Sequence, residues 1–246
     1  MSKVTAQDLS VLEKYDTPTI CNVIELFDYR PRTRGYMDQS IMACFPEMPP
    51  MVGFAATATF RGSTPKKDLS YGGLEQQVQS FSELPGPAIV VFEDLDEPVV
   101  AATFGEIMCT SYKKFGAKGL ITSGAGRDLD QVRSINFPVF TNGTVCSHGY
   151  SRFPSIGGTV NVGGITVQPG DLLHGDCNGV TTIPIEIAAQ VANLCKPYME
   201  AEGIILSYLK QPNVTPKGLA QAQKECKEYL KKLADNIDER PRHKRA

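Results

Sequence analysis

Long apolar runs are missing from this 246-residue chain: nowhere do about 18 apolar residues follow one another, the length a membrane-spanning helix needs. The opening stretch MSKVTAQDLSVLEKYD carries no apolar core of the secretory-leader kind, so the expectation is a cytoplasmic protein with no membrane partner. A surplus of charge of one sign is missing too. With 25 Lys and Arg against 27 Asp and Glu, no cationic face for a phosphate backbone is indicated, and no nucleic acid is expected as a partner. Only RPRHKRA, from Arg240, is strongly basic, and it reads as a solvated terminus, with an RNA- or partner-binding tail as the minor alternative. An even set of cysteines is likewise absent. Seven are scattered as Cys21, Cys44, Cys109, Cys146, Cys177, Cys195 and Cys226, which excludes a closed disulfide framework and suggests reduced thiols, most of them in the core.

What is present is α/β grammar. Thr17 is placed to cap a helix with Pro18 at its first position, and Ile20, Val23, Ile24 and Phe27 recur at i, i+3, i+4 and i+7 on one face. VGFAATATFRG from Val52 alternates as a strand does, and a polar helix follows around Leu74 to Leu84. From Pro87 strands and helices alternate: AIVVF, VVAATF, then the helical GEIMCTSYKKFG, in which Ile107, Met108, Tyr112 and Phe115 are expected on one apolar face. GLIT at Gly119 and FPVFTN at Phe137 continue the sheet. Past Tyr150 a Gly-Gly hairpin, a Pro-Gly turn and an Asn-Gly turn separate short β-rich runs, which indicates antiparallel pairing. Two helices close the chain, from about Ile185 to Leu209 and from a Thr215-Pro216 cap to about Ile237. The reading is one α/β domain over residues 1–210 with a C-terminal helix and basic tail over 211–246.

The stretch GAGRDLDQV, residues 124 to 132, sets Arg127 beside Asp128 where a strand ends and a helix begins, the place where α/β sheets bind ligands. Neighbours on a helix point in different directions, so the two are expected to face something other than each other. Twenty residues separate Arg127 from Glu106, which follows Gly105 at the start of another helix. Free N–H groups at such helix mouths suit an anion. Capping explains either carboxylate alone, but a cation at a helix N-terminus is unfavourable unless an anion is expected there.

Glu106, the twenty-residue gap, and Arg127-Asp128 resemble the acidic-x20-Arg-Asp signature of the RraA-like superfamily, which includes the class II 4-hydroxy-4-methyl-2-oxoglutarate aldolases and the regulators of RNase E activity. GFAATA from Gly53, AATFGEIM from Ala101, GAKGLITSGAGRD from Gly116, FPVFTNG from Phe137, VNVGGITVQPGD from Val160 and GDCNGVTTIP from Gly175 fall in the order of that family, over roughly residues 10 to 210. Glutamate stands at 106 where the aldolases usually have aspartate, Asn22 stands where many members have aspartate, and the helix after Thr215 looks like an addition.

The resemblance implies an αββα sandwich with a swivelling-domain-like mixed β core, assembled as a homotrimer or homohexamer. It implies a divalent-metal-dependent lyase, an aldolase or decarboxylase that releases pyruvate from a 2-oxo acid. Asp128 would carry Mg²⁺ or Mn²⁺, Arg127 would face the keto oxygen that becomes an enolate oxyanion, and N–H groups of Gly105, Glu106, Ile107 and Met108 would meet the substrate carboxylate. Glu106 would position or deprotonate a metal-bound water serving as acid and base. A carboxylate from a neighbouring subunit would come from Glu200 or Glu202. The alternative is a non-catalytic binding protein of the RNase E inhibitor type.

Three further features bear on the site. Loop 46–50 and STPKKDLSYGG are where a distal group would be read, with Lys66 or Lys67 able to meet a second carboxylate, although solvated loop lysines are the commoner explanation. Asp176 and Asn178 in GDCNGV match a family motif, yet their spacing is what a turn requires, and the structural reading is preferred. Cys146, His148, His174 and Cys177 are zinc-type ligands in two tight pairs, but neither spacing is a usual zinc pattern, and buried thiols with satisfied histidines account for them.

Overall fold

A computed structural model describes residues 4–65 and 73–237. In chain order its elements are α1 (Ala6–Leu12), α2 (Thr17–Glu25), β1 (Met42–Ala43), β2 (Met51–Phe60), α3 (Leu74–Ser80), β3 (Ala88–Asp94), β4 (Ala102–Phe104) and α4 (Glu106–Lys114). There follow β5 (Gly119–Thr122), β6 (Ala125–Gly126), α5 (Leu129–Ser134), β7 (Val139–Thr141), β8 (Val160–Val162), β9 (Ile165–Val167), β10 (Leu172–Asp176), β11 (Gly179–Ile183), α6 (Ala188–Leu209) and α7 (Pro216–Asp235). Contacts divide the chain into two compact units, residues 35–184 and residues 1–34 together with 185–246. Among the described residues no helix is long and apolar enough to cross a membrane.

The 35–184 unit is built on a seven-stranded mixed sheet in the order β1-β7-β5-β3-β2-β10-β11. The four strands β7, β5, β3 and β2 run parallel, and β1, β10 and β11 are added antiparallel. Side chains alternate across the sheet, so neighbouring residues feed two separate cores. Ala56, Val90, Phe92, Leu120 and Val139 pack with Cys109 and Tyr112 of α4 and Val132 of α5, whereas Ala55, Ile89, Val91, Ile121 and Phe140 pack with the β8-β9 hairpin. That hairpin turns on Gly163 and Gly164, both at positive φ, as a two-residue turn requires. Because both faces are covered, β2 is buried along nearly its whole length rather than on alternate residues, despite its period-two sequence.

Helix α4 departs from expectation. Cys109 and Tyr112 are its buried residues, while Ile107 is 79% and Phe115 64% exposed. Phe115 is the C-cap, past the last helical residue, and Ile107 sits in the first turn at the rim of a cavity described below, so neither shares the inward stripe. The Asn-Gly turn between β10 and β11 is closed by Asp176, whose Oδ1 accepts the Asn178 N–H at 2.8 Å, an Asx turn.

In the other unit α1, α2 and α7 all pack on α6. Ile20, Val23, Ile24 and Phe27 are buried as the heptad-like spacing indicates. The cap of α2 is Asp16 rather than Thr17: its Oδ1 accepts the Thr19 N–H at 2.8 Å, and Thr17 is already helical. Thr215 caps α7 by accepting the Gly218 N–H at 3.1 Å. None of the seven cysteines forms a disulfide, yet only Cys109, Cys195 and Cys226 are buried, and Cys146 and Cys177 are exposed.

A carboxylate cluster ties the end of β3 to the end of β2. Asp96 accepts N–H groups of Gly62 (2.6 Å) and Ser63 (2.9 Å) and the Ser63 hydroxyl (2.6 Å), with Arg61 Nε 3.7 Å away. Burial alone would raise its pKa, but the Ser63 hydroxyl, the two N–H groups and Arg61 outweigh it and hold the carboxyl below its ordinary value. A carboxyl depressed in the fold stabilises it above the unfolded pKa of about 3.9, and that contribution is lost as pH falls through the folded value. Asp96→Ala is expected to cost about 3 kcal/mol near neutral pH, since it leaves the buried Gly62 N–H without its acceptor. Urea unfolding from pH 7 down to 3 checks this: the variant should lose part of the wild type's acid sensitivity, and parallel curves would refute it.

Candidate functional site

Two strand-to-helix passages lie side by side. β4 and β6 pair as a short parallel ribbon, and each runs directly into a helix, β4 through Gly105 into α4 and β6 through Arg127 and Asp128 into α5. Arg127 donates its N–H to Phe104 O at 3.1 Å, which continues the pairing and fixes the two mouths together.

Asp128 is the N-cap of α5 yet makes no side-chain cap there, and its backbone is left-handed, with φ 55 and ψ 38. The left-handed turn aims its carboxylate at the other helix, where Oδ2 accepts the Glu106 N–H at 3.0 Å. Asp128 thus caps α4, satisfying one of the four N–H groups a helix start leaves open. Arg127 Nε lies 3.8 Å from the same oxygen. The adjacent charges therefore do pair, contrary to the helical argument, because Asp128 is not yet on a helical path and its side chain doubles back toward Arg127.

Gly105 is fitted to this arrangement. A Cβ on residue 105 would stand 2.6 Å from Asp128 Oδ2 and 3.1 Å from Arg127 Nε. The φ of −157 is open to any residue, so the requirement is one of space. Beneath the site, Gly124 is held by hydrogen bonds to Thr122 Oγ1 (2.9 Å) and from Thr141 Oγ1 (2.7 Å), and its Cα lies against Asp94 and Thr103. Burial pushes the Asp94 carboxyl up, while its hydrogen bond to the Asp96 N–H pulls the other way.

A loop after β7 forms the remaining wall. Gly126 donates to Gly143 O and accepts from the Val145 N–H, and Ala102 donates to Ser147 O at 2.7 Å. Gly149, at φ 50, lies so close to Gly62 that a Cβ would stand 2.6 Å from Gly62 O. The result is a cavity of about 140 Å³ lined by Ala102, Phe104, Gly105, Glu106, Ile107 and Met108, with Arg127, Asp128, His148 and Ser151.

Every residue placed by sequence at the two helix mouths lines this cavity. Glu106 is exposed, and Arg127 and Asp128 are partly so. Glu200 and Glu202 lie on α6 in the other unit and are not among its lining residues. Glu200 is 3.9 Å from Lys196, and Glu202 is pushed up by burial and by Asp16. Residues 46–50 do not line it either, and Lys66 and Lys67 fall outside the described residues. His148 and Ser151 are the polar cavity residues that sequence reasoning missed, beside the apolar Ala102 and Phe104. Both sit in an irregular, glycine-flanked loop whose return to β4 rests on backbone contacts, which leave no pattern in the side chains.

The donor set decides what ion would fit. Among the described residues no three of His, Cys, Asp and Glu converge as a metal cage, and His174 is buried in β10 while Cys146 is exposed. The cavity instead offers the Asp128 and Glu106 carboxylates. One or two carboxylates, with waters and substrate completing the shell, is the way Mg²⁺ is commonly bound, and the site fits such a hard ion.

The sequence profile of the RraA-like family, described as Aldolase/RraA, matches residues 17–182. A Halalkalibacterium halodurans protein provisionally named a 4-hydroxy-4-methyl-2-oxoglutarate aldolase is 34% identical over 105 residues, 42% of this chain and 49% of that protein. The chain spans about half the length of the first curated relatives it matches. Among solved structures, an uncharacterized protein from Pseudomonas syringae pv. tomato superposes with a TM-score of 0.71 at 22% identity, covering 91% of this chain and 95% of the other. Streptomyces coelicolor RraAS2, described as an unusual member of the RNase ES inhibitor RraA protein family, gives 0.65 at 20% identity over 81% and 96%. At these identities the likeness is one of fold, a mixed α/β architecture.

Proposed function

The chain belongs to the RraA-like family, and from that premise we propose that it is a divalent-metal-dependent carbon–carbon lyase acting on a 2-oxo acid. The reaction is retro-aldol cleavage of a 4-hydroxy-2-oxo acid, decarboxylation of an oxaloacetate-type substrate, or both, with pyruvate released. The two share one enolate, so one set of residues serves either. The observation that carries this reading is the convergence of Glu106, Arg127 and Asp128 on one cavity. A protein that acts only by contact has no chemical need for that set.

Asp128 would hold Mg²⁺ or Mn²⁺, which when bound supplies positive charge to the substrate's keto and carboxylate oxygens. Arg127 presents a cation where the enolate charge develops, an interaction stronger in the transition state than in the ground state. The N–H groups of Ile107 and Met108, in the open first turn of α4, meet the substrate carboxylate. That of Glu106 is already taken by Asp128. The Glu106 side chain holds the water that delivers a proton to C3 of the enolate. The same reading makes the chain a trimer or pair of trimers in which Glu200 or Glu202 serves a neighbouring copy.

The test is pyruvate release, coupled to lactate dehydrogenase, from oxaloacetate and from 4-hydroxy-4-methyl-2-oxoglutarate, with the metal-catalysed background of oxaloacetate subtracted. Release is expected to need the protein, to stop with EDTA and to return with Mg²⁺ or Mn²⁺. No protein-dependent pyruvate from either substrate would turn attention to a binding role of the RNase E inhibitor type.

A further inference from the structure

The cavity holds one titratable group that the lyase reading leaves without a task, the imidazole of His148. Its Nδ1 lies 2.7 Å from Gly149 O. A carbonyl oxygen can only accept, so Nδ1 carries the proton, and in the neutral ring Nε2 is then a lone-pair acceptor. This is the logic of a base whose tautomer is set by a fixed partner. The residue is exposed, but the backbone that carries it is tied down. Ser147 O takes the Ala102 N–H, His148 O takes the Ser151 N–H at 3.2 Å, Gly62 O takes the Tyr150 N–H at 3.0 Å, and Gly149 packs where no Cβ fits.

Resting on the lyase reading, we propose that His148 is a catalytic base specific to the retro-aldol reaction, taking the proton of the substrate's C4 hydroxyl. Arg127 cannot act as a base, and on the lyase reading the Asp128 carboxylate is taken by the divalent ion it would hold, with Oδ2 also accepting the Glu106 N–H. The hydroxyl proton passes to Nε2, the C3–C4 bond breaks, C4 becomes a carbonyl, and the bonding pair passes through C3 to the C2 oxygen beside Arg127. Glu106 with its water then returns a proton to C3. One proton leaves the substrate and one is given back, no oxidant is needed, and both residues reset by exchange with water. Oxaloacetate has no such hydroxyl, so its decarboxylation uses Arg127, Asp128 and Glu106 without His148.

The experiment compares the full-length wild type with His148→Asn, whose side-chain N–H can replace Nδ1–H toward Gly149 while Nε2 is lost. Three rates are measured with Mg²⁺: cleavage of 4-hydroxy-4-methyl-2-oxoglutarate, decarboxylation of oxaloacetate, and deuterium exchange at C3 of pyruvate followed by NMR. Cleavage kcat is expected to fall about 100-fold, the usual scale for losing a general base, while the other two rates stay within about threefold. In His148→Ala, added imidazole should recover cleavage alone. Long-range ¹H–¹⁵N spectra of the wild type should show the Nδ1-protonated tautomer. Unchanged cleavage, an equal loss in all three rates, or the opposite tautomer overturns the assignment. A wild type that exchanges and decarboxylates but does not cleave also overturns it while the lyase reading stands. A wild type inert in all three assays overturns both.

Discussion

Asp128→Asn is expected to fold as the wild type does and to lose pyruvate release by a factor of about 10³ or more, the scale of removing a charge that acts on the developing oxyanion. Two jobs of this residue are separated by the change. As a backbone position it holds a left-handed conformation at φ 55, which asparagine tolerates and alanine adopts at a cost of about 1–2 kcal/mol. As an acceptor it caps α4 through Oδ2, and the asparagine carbonyl oxygen can take the same N–H. What asparagine cannot supply is the negative charge that balances Arg127 at 3.8 Å and that, on the proposed function, would hold a divalent ion. Mn²⁺ affinity, followed by the relaxation of bound water, should fall along with kcat. A variant that melts with the wild type and still turns over within tenfold would remove Asp128 from the metal site. Asp128→Ala serves as the contrast, because it should lose thermal stability as well.

Gly105→Ala is the second large effect, expected at about 10³-fold in kcat/KM with a change of only a few degrees in Tm. The new methyl has room only if Asp128 Oδ2, 2.6 Å away, and Arg127 Nε, 3.1 Å away, withdraw. Both are far ends of side chains, so the fold yields cheaply while the geometry of the site does not. Misplacement of catalytic groups by an ångström commonly costs about 10² in rate, and here two groups move together. Gly126→Ala makes the control: its Cβ would stand 2.1 Å from the ring of buried Phe104, so instability rather than selective inactivity is expected there. Kinetics of Gly105→Ala within threefold of wild type would mean that Asp128 and Arg127 do not work from the positions described.

The order of strands and helices was readable because buried parallel strands such as AIVVF are continuous apolar runs and the turns between them are marked by glycine and proline. Helix α2 shows the same legibility through its spacing, and α4 shows its limit. Ile107 has the hydrophobicity of a core residue but sits where the helix opens onto a cavity, which composition does not distinguish from a core-facing stripe. The two helix mouths were visible as Gly105-Glu106 and Arg127-Asp128. Their joining was not, since it depends on a β4-β6 ribbon of two or three residues and on one left-handed φ. His148 lay further out of reach. Its place follows from Ser147 O meeting the Ala102 N–H across 45 residues of chain, a backbone contact that any residue types could make.

The division into units also bears on the order of events during synthesis. Residues 35–184 hold the whole seven-stranded sheet and every residue lining the cavity, so all of these leave the ribosome before α6 does. Helices α1 and α2 emerge earlier but pack on α6, which is made only after that entire stretch. At about 5–20 residues per second, they wait on the order of ten seconds for their partner. During that interval Leu9, Leu12, Ile20 and Val23 lack the helix they pack on in the finished fold, and a nascent chain stalled before α6 would present them to chaperones.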